Sequence, residues 1–365
     1  MNSKFRAALL SSVALAAIAV AAPESANAQM YTTGPGFYLS VEGRYIFNET
    51  DKIQDLPFNN LTIPVGPIST ISALKEKAKA GWGGKAMLGY RFNNNWDVGV
   101  GLSGAWHKNG KGSNSAAITT TFPVGPGTSV TITGTAEQDL KVKLDYYVGD
   151  FEAGYNWKMG NSNIRLFGGL RYADFTQKAK SNIGVQGGVY TSTTPGTFTT
   201  IGTGAAGVSV QRKTTYWGVG PRIGVNGIFG LGSGGFHLFG GVSAALLYGK
   251  YKDRRTVDAA LVVGSPTVPT PTLATSRKYN DKKKNKFVPN FEGEIGLGYT
   301  FGAGSGTAIS IQAGYRADLY MGAASDADVY AVDAIGLGPD SNSADYLFHG
   351  PFVRLTATFG AATPV

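Results

Sequence analysis

Residues 82–107 read WGGKAMLGYRF, then NNN, then WDVGVGLSGAWH. In the first run Trp82, Ala86, Leu88, Tyr90 and Phe92 alternate with Lys85 and Arg91. In the second, Trp96, Val98, Val100, Leu102 and Trp106 alternate with Asp97, Ser103 and His107. A period of two marks a strand with unlike faces, and three asparagines between two such runs mark a tight turn. Aromatic side chains stand at both ends of each run, with small aliphatic ones between them. A soluble sandwich buries its apolar face in a core and has no reason to sort aromatics to the strand ends. A membrane barrel turns that face to lipid, places aromatic girdles at both interfaces and lines its lumen with polar groups.

The pattern recurs along the chain, over 36–48, 82–92, 96–107, 140–157, 164–175, 216–228, 236–250, 287–301, 308–320 and 346–359. At 140–157 the alternation slips beside Tyr146 and Tyr147, which predicts a bulge there; 236–250 is apolar on both faces. Short connections at 93–95, 158–163, 229–235 and 302–307 alternate with long polar ones at 49–80, 108–139, 176–213, 251–286 and 321–345. Short periplasmic turns and long extracellular loops characterise bacterial outer-membrane barrels. The sequence therefore predicts an all-β, antiparallel up-and-down transmembrane barrel of about ten strands. Twelve is the alternative, because Ala117 to Val124 and Ser129 to Thr135 read as a further hairpin and 183–212 has the same texture. Phe37, Tyr90, Phe92, Trp96, Tyr155, Trp157, Tyr299, Phe301 and Phe359 are expected in the girdle by the short turns. Tyr45, Phe47, Trp82, Trp106, Tyr172, Trp217, Phe287 and Tyr346 are expected in the opposite one.

Composition agrees. The 365 residues include 52 glycines, 12% aromatic and 16% charged residues, against about 7% glycine and about 25% charge in average soluble domains. The absence of cysteine excludes disulfide scaffolds, thiol enzymes and iron–sulfur clusters, and a mean hydropathy of −0.06 excludes a bundle of transmembrane helices. Lys4 and Arg6, the apolar run 7–22 and Ala26-Asn27-Ala28 predict a signal peptide over 1–28, leaving one barrel domain over 29–365.

Four stretches on these strands carry a family resemblance: Gly169-Leu170-Arg171-Tyr172-Ala173-Asp174-Phe175, Trp217-Gly218-Val219-Gly220-Pro221-Arg222-Ile223-Gly224, Asp150-Phe151-Glu152-Ala153-Gly154-Tyr155 and His349-Gly350-Pro351-Phe352-Val353-Arg354. Together they resemble the Legionella major outer membrane protein-like family of pore-forming proteins, over about residues 36–359. The resemblance implies an outer-membrane barrel with porin activity and supplies no binding residues. One departure is that Gly360 to Val365 follow Phe359, where many barrels end on an aromatic residue.

Inward positions collect Arg44, Lys85, Arg91, Arg165, Arg171, Arg222, Arg316 and Arg354 against Glu42, Asp97, Asp150, Glu152, Glu292, Glu294 and Asp318. Asp150, Glu152, Arg165, Arg171 and Arg222 are expected to form one cluster. Of the inventory, Arg91, Asp150, Glu152, Arg165, Arg171, Arg222, Glu292, Glu294, Arg316 and Arg354 are the expected pore-lining set. They act either as a constriction that sets ion passage or as salt bridges that fill a narrow lumen. The expected function is passive diffusion of ions and small hydrophilic solutes. The alternative is a non-conducting structural or adhesive barrel that displays its loops to a host surface.

Lys75, Lys77 and Lys79, and then Arg254, Arg255, Lys278 and the run Lys282, Lys283, Lys284 and Lys286, are expected on external loops. They form either a solvated face or a contact with lipopolysaccharide phosphates. Expected partners are outer-membrane lipid, lipopolysaccharide, the barrel-assembly machinery and small hydrophilic solutes. A host surface or a second copy is a further option, and no nucleic acid is expected. An enzymatic reading would use His107 or His349 with Asp318 or Asp345. No H-E-x-x-H, G-x-S-x-G or P-loop occurs, and neither a catalytic site, a metal nor a cofactor is expected. The acidic loop with Asp326, Asp328, Asp333, Asp340 and Asp345 lacks EF-hand spacing.

Overall fold

The computed structural model describes residues 35–50, 62–63, 66–67, 79–107, 110–125, 128–160, 162–194, 197–232, 235–264, 272–302, 307–325 and 343–360. The expected leader, Lys75 and Lys77, Asp326 to Asp340 and the last five residues lie outside them. The strands are β1 (Gly36–Thr50), β2 (Thr62–Ile63), β3 (Gly66–Pro67), β4 (Gly81–Arg91), β5 (Trp96–His107), β6 (Gly110–Gly125), β7 (Thr128–Met159), β8 (Ser162–Thr194), β9 (Thr197–Gly230), β10 (Phe236–Gly264), β11 (Thr272–Gly302), β12 (Ala308–Ser325) and β13 (Ser343–Thr358).

The pairings are all antiparallel, and the terminal strands β1 and β13 meet from Tyr38 and Thr358 onward. The pairing of β5 with β7 completes a ring of ten staves, β1–β4–β5–β7–β8–β9–β10–β11–β12–β13 and back to β1. β5 and β6 lie end to end on one edge of β7: β5 pairs along Asp145–Tyr155 and β6 along Thr128–Val142. β2 and β3 form a separate small hairpin.

The short turns fall where the sequence put them. Asn95 adopts a positive φ of 68° and Gly160 one of 55°, conformations that asparagine and glycine tolerate. The long connections are different. Much of 108–139, 176–213 and 251–286 is strand, so Arg254 and Arg255 lie on β10, and Lys278 and the basic run at 282–286 on β11, not in a loop. The Gly/Thr/Val-rich texture lengthens existing staves. The expected hairpin is real and forms the tips of β6 and β7, with Ala117 opposite Thr135 and Phe122 opposite Val130; 183–212 closes the β8–β9 tip, with Val189 opposite Gly202. β7, β8 and β9 run 32, 33 and 34 residues. A lipid-facing band about 25 Å tall needs only about 9–11 tilted residues per strand, so most of each of these strands stands clear of it.

That band is visible on the outer face. Trp82, Trp106 and Trp217 lie outward at one level, and Trp96 and Trp157 at the other; all are among the exposed large apolar side chains, with Leu102, Leu170 and Ile223 between them. Tyr45 packs edge-on against Trp82 at 5.1 Å and Trp96 against Tyr155 at 5.4 Å. Water would penalise such a continuous apolar belt, and hydrocarbon accepts it.

Two expectations fail for one reason. Tyr146 is 2% exposed and its neighbour Tyr147 51%, yet the β7 register with β5 and β8 runs unbroken through both. There is no bulge. Leu140, Val142, Leu144 and Tyr146 all face inward, so beyond the band the apolar residues change sides while the backbone keeps its phase. Likewise Tyr346, expected in the outer girdle, is 1% exposed and buried inside. The doubly apolar 236–250 has the same origin: Phe239, Ala245 and Leu247 face inward, while Leu246 and Tyr248 face outward.

Candidate functional site

Alternation delivers one side chain in two from each stave to the lumen, and at mid-height those are charged. Arg171 on β8 is in register with Asp150 on β7 and grips it through two bonds, Nε to Oδ1 at 2.7 Å and Nη2 to Oδ2 at 2.8 Å. Its Nη2 also donates to Glu292 on β11 at 2.8 Å and its Nη1 to Asn290 at 2.6 Å. Arg222 on β9 binds Glu152, reaches Asp150 at 3.5 Å and Glu292 at 3.2 Å. Arg165 holds Asp97 at 2.7 Å and Glu152 at 3.0 Å. The five-membered cluster expected from sequence thus forms.

The network crosses to the opposite wall. Arg316 on β12 meets Glu292 at 2.6 Å, Asp318 at 3.1 Å and Glu42 at 3.6 Å. Arg354 on β13 bridges Glu42 and Glu294, both at 2.7 Å, and Arg44 on β1 binds Asp318 at 2.6 Å. Six guanidiniums, those of Arg44, Arg165, Arg171, Arg222, Arg316 and Arg354, therefore hold the carboxylates of Glu42, Asp97, Asp150, Glu152, Glu292, Glu294 and Asp318. Lys85, inward on β4, brings the cations level with the anions. Charge balance is what a buried layer requires, because desolvating an ion is repaid only by partners with good geometry; several of these contacts are bidentate.

Arg91 stands apart. It is in register with Asp97, but Asp97 is bound by Arg165 and by Asn156 Nδ2. Arg91 lines a cavity of about 200 Å³ between the charged layer and the short-turn mouth, together with Lys85, Arg222, Arg354, Asn163 and Thr358. Of the basic run, Lys284 is exposed and Lys286 Nζ lies 5.7 Å over the Tyr251 ring. The side chains of Lys282 and Lys283 lie outside the described residues.

Above the charges sits a layer that sequence reading missed. Phe175 on β8 stacks on Tyr346 at 5.4 Å and Phe348 at 6.2 Å, both on β13, and meets Tyr320 on β12 edge-on at 4.7 Å. Tyr146 stacks on Phe348 at 4.5 Å. β8 and β13 are five staves apart in a ring of ten, so these contacts span the full width of the barrel. Arg44 ties the layers together, donating from Nη2 to the Tyr146 hydroxyl at 2.6 Å. The apparent phase slip at Tyr146 was the available clue. Farther along, Arg212 grips Asp253 at 2.7 Å; burial works to lower the Arg212 pKa, but the bonds to Asp253 outweigh it and hold it raised.

The residues of the enzymatic reading are dispersed. His349 Nδ1 meets the Tyr315 hydroxyl at 2.5 Å, Asp318 faces inward to Arg44 and Arg316, and Asp345 accepts from the Gly322 N–H at 2.6 Å. The His107 side chain lies outside the described residues.

A family model described as Legionella pneumophila major outer membrane protein precursor matches residues 58–359. A comparison with curated proteins gives no match. Among solved structures, the outer membrane protease OmpT of Escherichia coli shares 11% identity, covering 92% of this chain and 99% of that one at a TM-score of 0.35. A FadL homologue of Pseudomonas aeruginosa shares 11% over 90% and 91%, at 0.22. The transport unit of the Escherichia coli autotransporter AIDA-I shares 10% over 89% and 90%, at 0.25. At such identities and scores the barrel rests on the chain's own strand pairings.

Proposed function

The chain belongs to the Legionella pneumophila major outer membrane protein family and lies in the bacterial outer membrane, and from the filled lumen we propose a barrel that is closed at rest. Its role in this reading is to hold a tall β-structure above the cell surface, with no catalytic step. The observation that carries it is the contact of Phe175 with Tyr346 and Phe348 across the whole ring, directly above a charge-balanced layer. Barrels of eight strands are filled by their side chains, while those of about 16–18 leave a channel; ten staves with long inward arginines and aromatics fall on the filled side.

One observation favours passive passage of small solutes as a second reading. The cavity of about 200 Å³ is wide enough for water and lined by charges of both signs, a vestibule that stops at Arg171 and Arg222. Planar-bilayer recording separates the two. The closed barrel gives no steady steps at modest voltage. Regular steps from every inserted molecule would overturn it and restore the diffusion pore.

A further inference from the structure

Just beyond the upper aromatic girdle, on the outward face, cations stand side by side. Lys143 on β7 is in register with Lys178 on β8, Lys178 with Lys213 on β9, and Lys213 with Arg254 on β10. Lys141 and Lys180 form a second such pair. All six side chains are exposed. Neighbouring strands lie about 4.8 Å apart, so the row of four runs for roughly 14 Å. Like charges placed directly opposite each other destabilise a sheet, and this row repeats the arrangement three times over. Asp145 pairs with Lys143 at 2.9 Å, while Tyr172 donates to Asp174 and Ser276 to Asp258.

The height of the row identifies the counter-charge. Tyr147 lies four residues from Lys143 on β7 and Trp217 four from Lys213 on β9; both are exposed outward, and their shared register with Asp174 sets Tyr147 level with the girdle tryptophan. Four tilted residues at about 3.3 Å each lift the lysines roughly 9 Å beyond the aromatic ring, into the headgroup layer. Lys250 Nζ, 5.8 Å over the Trp217 ring, reaches the same layer from the girdle itself. At this level the barrel is encircled by outer-leaflet lipid, whose anionic groups are phosphates.

We propose that Lys143, Lys178, Lys213 and Arg254, with Lys141 and Lys180 beside them, dock the lipid A phosphates of lipopolysaccharide. The site lies on the strands, apart from the basic run at 282–286, and it does not depend on whether the lumen conducts. The test uses the full exported protein and its Lys178→Gln/Lys213→Gln variant, freed of lipopolysaccharide in zwitterionic detergent. Each is titrated with phosphorylated or dephosphorylated lipopolysaccharide, and unfolding temperature is followed by heat-modified gel mobility. At roughly fivefold per lysine near an anionic surface, the variant binds the phosphorylated form about thirtyfold more weakly. Without lipopolysaccharide it unfolds at the same or a higher temperature, because opposed charges have been removed. The dephosphorylated form stabilises neither protein. Equal affinity of the two proteins for the phosphorylated form would overturn the proposal, as would full stabilisation by the dephosphorylated one.

Discussion

Replacing Glu292 with glutamine removes one negative charge from the centre of the lumen while keeping the side chain's shape. Glu292 receives Arg171 at 2.8 Å, Arg222 at 3.2 Å and Arg316 at 2.6 Å. Removing one partner of a buried ion pair typically costs about 3–5 kcal/mol. Each arginine retains another carboxylate here: Arg171 keeps Asp150, Arg222 keeps Glu152, and Arg316 keeps Asp318. Glu292 also lines the cavity, where water reaches it. The expected loss is therefore at the low end, about 3 kcal/mol. Adding Lys85→Met restores the balance of charge, so the double variant should be more stable than the sum of the single changes by about 1–2 kcal/mol. The assay is urea unfolding in lipid vesicles followed by tryptophan emission. It suits this chain, because Trp82, Trp96, Trp106, Trp157 and Trp217 all lie outward in the girdles and report insertion. A single-variant loss below about 0.5 kcal/mol, or strict additivity, would mean independently hydrated charges in an open lumen.

Phe175→Ala should destabilise the barrel by about 3–5 kcal/mol in the same assay, yet remain electrically silent in planar bilayers because the charged layer beneath is intact; conduction from this variant would place the whole barrier in the aromatics. Ile223, 68% exposed midway between the girdles, gives a sharp contrast. An arginine there should cost about 2–4 kcal/mol of folding into vesicles, whereas an exposed site in a soluble protein would change by about 0.5 kcal/mol or less. Replacing Ile118–Gly134 by Asn-Gly should leave a heat-modifiable barrel, since Ala117 and Thr135 already face each other beyond the lipid band; failure to fold would show that the tip is needed for assembly.

The staves were legible because lipid on one side and charge on the other impose alternation at every second residue. The short turns, both girdles and the Asp150–Arg171 pair all follow from that pattern. The lengths of β7 to β11 were not legible. The stretch Ala136 to Leu144, with Ala179, Ile183 and Val210 on the neighbouring strands, lies beyond the membrane and buries its apolar residues inward, so the rule that apolar means outward reverses partway up the same strand. That reversal also disguised Tyr146 and Tyr346. The charged set was readable by type, but its partners were not: Arg171 with Glu292 and Arg316 with Glu42 join strands that are not neighbours, and such contacts depend on ring closure. The lysine row was hidden similarly, since Lys143, Lys178, Lys213 and Arg254 become a row only through the register of four strands.

The chain contains no cysteine, so one introduced thiol can report on the closed lumen directly. Thr356 lines the cavity on the periplasmic side of the charged layer. In sealed, right-side-out outer-membrane vesicles from a host without other porins, a small membrane-impermeant maleimide should leave Thr356→Cys unmodified until the vesicles are opened. Labelling at the same rate in sealed and opened vesicles would mean that solutes pass Phe175 and Arg171 freely, and the closed barrel would be wrong.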